Sequence, residues 1–100
     1  MTEKLLYYFE CYLHQDWNEE CGSTNIRDTW KFFFDNECDG DGNMEVHLGN
    51  RLIKDIDMAL EMSDYDLGNL VNKANYCFDS LKDARTWLSE FKSWITIRIK

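Results

Sequence analysis

The chain of 100 residues contains no proline, and its glycines are confined to Gly22, Gly40, Gly42, Gly49 and Gly68. A β-rich fold needs reversals roughly every 8–12 residues, and proline and glycine are the residues that supply them. Their scarcity leaves helices as the only regular elements that a chain of this length can string together.

The apolar spacing agrees. Leu5, Leu6, Phe9, Tyr12 and Leu13 recur at the three- and four-residue steps of one helix face, which predicts a helix over residues 2–13. Ile26, Trp30, Phe33 and Phe34 predict a second over 25–36, rich enough in rings to sit at the centre of a core. The stretch 38–43, Cys-Asp-Gly-Asp-Gly-Asn, has turn chemistry and reads as a loop. A third helix is expected over 46–62, with Leu48, Leu52, Ile56, Ala59 and Leu60 inward, Asp55, Asp57 and Glu61 outward, and Gly49 weakening its first turn. Ser63 with Asp66 fits a capping box ahead of a short fourth helix ending near residue 73, which turns Leu67, Leu70, Val71 and Ala74 inward. Ser80 with Asp83 repeats the box before a long fifth helix bearing Leu81, Ala84, Trp87, Leu88, Phe91, Trp94 and Ile95. Its end is ambiguous, because Ile95, Ile97 and Ile99 alternate with polar residues in the period of a strand; a frayed extension or a pairing tail is expected.

With 44% hydrophobic and 15% aromatic residues the chain is no disordered tail. Its length suits one domain over residues 1–100, with a radius of gyration of roughly 13 Å. The expected fold is an all-α bundle of about five helices. No apolar run reaches the roughly 18–20 residues of a membrane span and no signal-peptide pattern opens the sequence, so the expected location is the cytosol.

The net charge of −8 opposes contact with nucleic acid or an anionic membrane. All of the excess falls in one stretch. Residues 35–66 hold the ten acids Asp35, Glu37, Asp39, Asp41, Glu45, Asp55, Asp57, Glu61, Asp64 and Asp66 against Arg51 and Lys54, and the rest of the chain sums to zero. The plain reading is a solvated helix face with an acidic loop. The sharper one is a surface that steers and holds a basic partner.

No cofactor is expected. Cys11, Cys21, Cys38 and Cys77 include no CxxC pair and read as reduced, packed thiols. A calcium loop begun at Asp35 reaches Val46 at its twelfth position, and one begun at Asp39 reaches Asn50, so both lack the bidentate glutamate. His14 and Asp16, two apart, point in nearly opposite directions on a helix, and no nucleophile is placed beside them. The expected reading is therefore non-enzymatic, with His14, Gln15 and Asp16 tying a loop while Tyr12 and Trp17 pack. Trp87 and Trp94, one heptad apart, read as core rather than as a base-stacking platform.

Two stretches carry a resemblance. Tyr12-Leu13-His14-Gln15-Asp16-Trp17 resembles the Tyr-Phe-His-Gln-Asp-Trp signature near the start of the CdiI family of contact-dependent growth inhibition immunity proteins. Asn75-Tyr76-Cys77-Phe78 followed by Ala84-Arg85-Thr86-Trp87-Leu88 is similar to that family's closing pattern, a small-polar-aromatic turn before a helix with Arg-x-Trp-Leu. The resemblance implies a cytosolic inhibitor that binds the C-terminal toxin domain, often a basic nuclease, of a large effector. The ten carboxylates would then meet the toxin's cationic cleft, while Tyr12, His14, Gln15, Asp16, Trp17, Arg85, Trp87 and Leu88 serve the scaffold. The competing expectation is an acidic helical adaptor, or a nucleic-acid mimic, that binds a basic host protein.

Overall fold

In the computed structural model, which describes residues 2–13, 22, 25, 27–38, 40–73, 78 and 80–99, the expected helices form with shifted ends. They are α1 (Glu3–Tyr12), α2 (Asp28–Cys38), α3 (Gly42–Leu60), α4 (Asp64–Val71) and α5 (Leu81–Arg98). Among the described residues there is no strand, and the fold is an all-α domain. Its Cα radius of gyration is 12.8 Å.

Side-chain caps account for several of the boundaries. Asp41 accepts from the backbone amides of Asn43 (2.8 Å) and Met44 (3.3 Å), so α3 starts at Gly42 rather than at residue 46. The expected loop over 38–43 thereby contracts to residues 39–41. Gly40, at φ +79°, takes the left-handed turn there, and the Asp41 amide donates to the Cys38 carbonyl at 2.8 Å. A twelve-residue calcium loop has no room in this connection. The serine halves of both expected capping boxes form: Ser63 Oγ accepts from the Asp66 amide at 3.2 Å, and Ser80 Oγ from the Asp83 amide at 3.1 Å.

The strand-like alternation at the end of the chain resolves as helix. α5 runs to Arg98, and the Ile99 amide still donates to the Ile95 carbonyl at 3.0 Å. On a helix Ile95 and Ile99 share a face, and both turn toward Gly49 of α3. Gly49 is interior to α3, and its missing side chain makes room for this approach: a Cβ there would stand 2.7 Å from Ile99 Cγ2 and 3.0 Å from Ile95 Cγ2. Ile97, half a turn away, is 76% exposed.

The core is a bank of rings from three helices. Tyr8 and Phe9 of α1, Trp30, Phe33 and Phe34 of α2, and Trp87 and Phe91 of α5 are buried, with the Trp30 and Phe91 rings stacked at 4.8 Å and 6°. Tyr8, which lies off the face read from periodicity, is completely buried because its hydroxyl is hydrogen-bonded to Thr29 of α2. Leu48, Leu52, Ile56 and Ala59 of α3 and Leu67, Leu70 and Val71 of α4 close the core from below, as expected. Truncating a ring of this kind typically costs about 3–5 kcal/mol.

Candidate protein interface

Eight of the ten carboxylates are engaged within the fold or lie outside the described residues. Asp55, expected to face outward, is 3% exposed. Its Oδ2 accepts the backbone amides of Lys4 (2.9 Å) and Leu5 (3.2 Å), so it caps α1 across the tertiary structure where Thr2 makes no side-chain cap of its own. The unpaired amides and positive dipole end of α1 explain why a charged side chain is held inside. Asp55 is therefore withdrawn from any binding surface.

Glu37 joins α2 to α1: the Tyr12 hydroxyl donates to its Oε2 at 2.6 Å and the Tyr7 hydroxyl to the same oxygen at 3.4 Å. Burial, followed by the bond to Glu37, raises the Tyr12 phenol well above the ordinary range. Asp35 and Glu45 converge on Arg98 of α5, whose guanidinium also lies 5.1 Å from the Trp94 ring centre and 5.5 Å from that of Phe34. The Lys31 ammonium, 2.6 Å from Asp35 one turn away, holds that carboxyl below its ordinary value. Asp41 is the α3 cap, and Asp57 pairs with Lys92 of α5 at 2.6 Å. Asp39 lies outside the described residues.

The corner between α3 and α4 differs. Here Glu61, Asp64 and Asp66 lie within four residues of Tyr65 along the chain, and Tyr65 is 78% exposed. Arg85 of α5 braces the corner from beneath. Its guanidinium donates to the carbonyls of Leu60 (2.8 Å) and Met62 (2.9 Å), closing the carboxyl end of α3, and to the Asp64 carboxylate at 3.0 Å. Among the described residues Glu61 and Asp66 have no ion-pair or side-chain hydrogen-bond partner. Composition and charge do not mark Tyr65, but Leu67, Leu70 and Val71 define the inner face of α4 and place residue 65 on the opposite side.

The remaining motif residues divide the same way. Trp87 and Leu88 are buried, and Arg85 is the brace just described, so these three serve the scaffold. Tyr12 is half-buried against Phe33, with ring centres 4.7 Å apart. His14, Gln15, Asp16 and Trp17, together with residues 75–77, lie outside the described residues.

A cup of about 360 Å³ opens between α1, α2 and α3, lined by Cys38, Met44, His47 and Leu48 among others. Cys11 and Cys38 are free thiols, and burial raises the Cys38 thiol above its ordinary value, which disfavours the reactive thiolate. Among the described residues no three His, Cys, Asp or Glu side chains are grouped to hold a metal, and no helix is long and apolar enough to cross a membrane. Compared with protein-family models, curated proteins and solved structures, the chain matches none of them.

Proposed function

We propose that this chain is a non-enzymatic immunity protein that acts in the cytosol, binding and neutralising the C-terminal toxin domain, a basic nuclease, of a contact-dependent growth inhibition effector. The observation that carries the binding role is the α3–α4 corner. Tyr65 stands in solvent, the nearby carboxylates of Glu61 and Asp66 have no partner among the described residues, and Arg85 holds the backbone of the corner. An exposed aromatic ring contributes little to the fold and suits a binding anchor, since tyrosine is among the residue types that dominate interface energy. The identity of the partner rests on the resemblance in residues 12–17 and 84–88, and charge supports it. A nuclease that grips phosphates carries lysine and arginine in its cleft, and free carboxylates compete for them.

The test is protection. The effector domain encoded immediately upstream is induced in cells with and without this chain, and survivors are counted. Survival only with the chain is expected. A toxic, soluble upstream domain that kills equally in both strains overturns the immunity role, and the acidic adaptor of a basic host protein then takes its place.

A further inference from the structure

α3 and α5 run antiparallel, as the pairs Glu45–Arg98, Gly49–Ile95 and Leu60–Arg85 require. Along their outer side lies a shallow groove of about 540 Å³, lined by Leu60, Ser89, Lys92, Ser93, Thr96 and Ile97. Ser89 and Ser93 are one helical turn apart and Ile97 a turn further on, so the line follows the ridge of α5 for roughly 12 Å, about two turns of a helix. Small hydroxyl side chains at two successive turns let another backbone approach closely. The apolar contacts come from Leu60 and Ile97, the latter 76% exposed and outside the core.

Charge selects the occupant. The Lys92 ammonium is held by Asp57 at 2.6 Å, so among the described residues that line the groove no cation is free. Beyond Leu60 the chain continues directly into Glu61, Asp64 and Asp66. The lining is thus apolar at Leu60 and Ile97 and hydroxyl-bearing at Ser89, Ser93 and Thr96, and acids follow Leu60 along the chain.

We infer that this groove seats an amphipathic helix of the partner protein, with its apolar side chains against Leu60 and Ile97, a small-residue side on Ser89 and Ser93, and lysines or arginines directed at Glu61 and Asp66. The inference rests on the proposed binding role and extends the contact from the corner onto α5.

The probe is a synthetic amphipathic helix of about 18 residues made of leucine, alanine and lysine, long enough to cover the groove and the corner. A scrambled peptide of the same composition is the control. Titration followed by amide chemical shifts is expected to move Leu60, Ser89, Ser93, Thr96 and Ile97 together. The scrambled peptide is expected to bind about tenfold more weakly or worse, as is the probe to Ser93→Trp, whose exposed side chain fills the groove while the circular dichroism of the fold is unchanged. Equal binding of the scrambled peptide, or shifts confined to residues 61–66, would reduce the interaction to charge and overturn the groove. A dimer in sedimentation that Ser93→Trp dissociates would overturn it in favour of a second copy of this chain. In the survival assay, protection retained by Ser93→Trp overturns the groove and leaves the immunity role intact. A wild-type chain that fails to protect overturns that role, while the peptide titration still decides the groove.

Discussion

Residues 35–57 and residues 61–66 carry the same kind of side chain to opposite ends. In the first stretch carboxylates are structural: Asp41 starts α3, Asp55 caps α1, Glu37 takes two tyrosine hydroxyls, Asp35 and Glu45 gather Arg98, and Asp57 pairs with Lys92. In the second, Glu61 and Asp66 stand near an exposed tyrosine in the chain, and their carboxylates have no partner among the described residues. The first group is engaged within the fold, although only Asp55 is buried and the side chains of Asp35 and Asp57 stay 45% and 49% exposed. The second leaves charge in solvent, where it contributes little to stability and much to encounter. Net charge within a sequence window is thus a poor map of a binding surface, because local helix ends and tertiary caps claim acids before a partner does.

The largest expected effect falls on Asp55. Asp55→Ala leaves one buried and one partly buried amide at the start of α1 without an acceptor and is expected to cost about 2–3 kcal/mol in urea unfolding, while the folded fraction binds its partner as before. Asp55→Asn, which keeps one acceptor oxygen, should lose less. Equal stability of Asp55→Ala and wild type would break the division between the two stretches at its firmest point.

Arg85 lies at the boundary, and its effect should be mixed. Arg85→Ala removes the brace under the corner and is expected to cost about 1–2 kcal/mol and to weaken partner binding as well, because Tyr65 loses its fixed backbone. Lysine should restore neither in full, since an ammonium does not reproduce the planar fork that spans Leu60, Met62 and Asp64. A purely energetic effect with binding unchanged would separate the brace from the site.

Titration sharpens the structural side. The Tyr12 phenol is raised above its ordinary 10.0 on folding, first by burial and then by the bond to Glu37, so its contribution is complete below about pH 10 and is lost as the pH rises through the folded value. Asp35 is lowered from 3.8, chiefly by its bond to Lys31, so its contribution is present above that pH and is lost as acid carries the solution down through the folded value. Equilibrium unfolding of Tyr12→Phe at alkaline pH should show a shallower loss than wild type. An identical profile would mean that the α1–α2 tie does not titrate as described.

The smallest stability change is expected where the functional effect is greatest. Glu61→Lys with Asp66→Lys should alter unfolding by less than about 1 kcal/mol, because losing an acid from the first turn of α4 is offset by gaining a cation at the carboxyl end of α3.

Much of the architecture was legible because helical periodicity and serine caps are local signals. Trp30, Phe33, Phe34, Trp87, Leu88 and Phe91 are buried as their spacing predicts, and Ser63 and Ser80 begin the helices they precede. What the sequence concealed was non-local. The burial of Asp55 depends on the end of a helix about fifty residues away, and that of Tyr8 on a hydroxyl partner in α2. The alternating isoleucines at residues 95–99 mimic a strand until Gly49 supplies the surface that Ile95 and Ile99 share. For the binding site, the acids were visible but their allocation was not. The signal that marks the corner, Tyr65 opposite the inner face of a short helix, is a single residue in one turn and stands out only once its surroundings are in place.

The most direct test sets the two stretches against each other in one assay. Glu61→Lys with Asp66→Lys is compared with wild type for thermal stability and for protection against the co-expressed upstream toxin domain. The account predicts an unchanged melting temperature with protection lost. Full protection by the doubly reversed protein, folded as well as wild type, would contradict it and move the interface away from the α3–α4 corner.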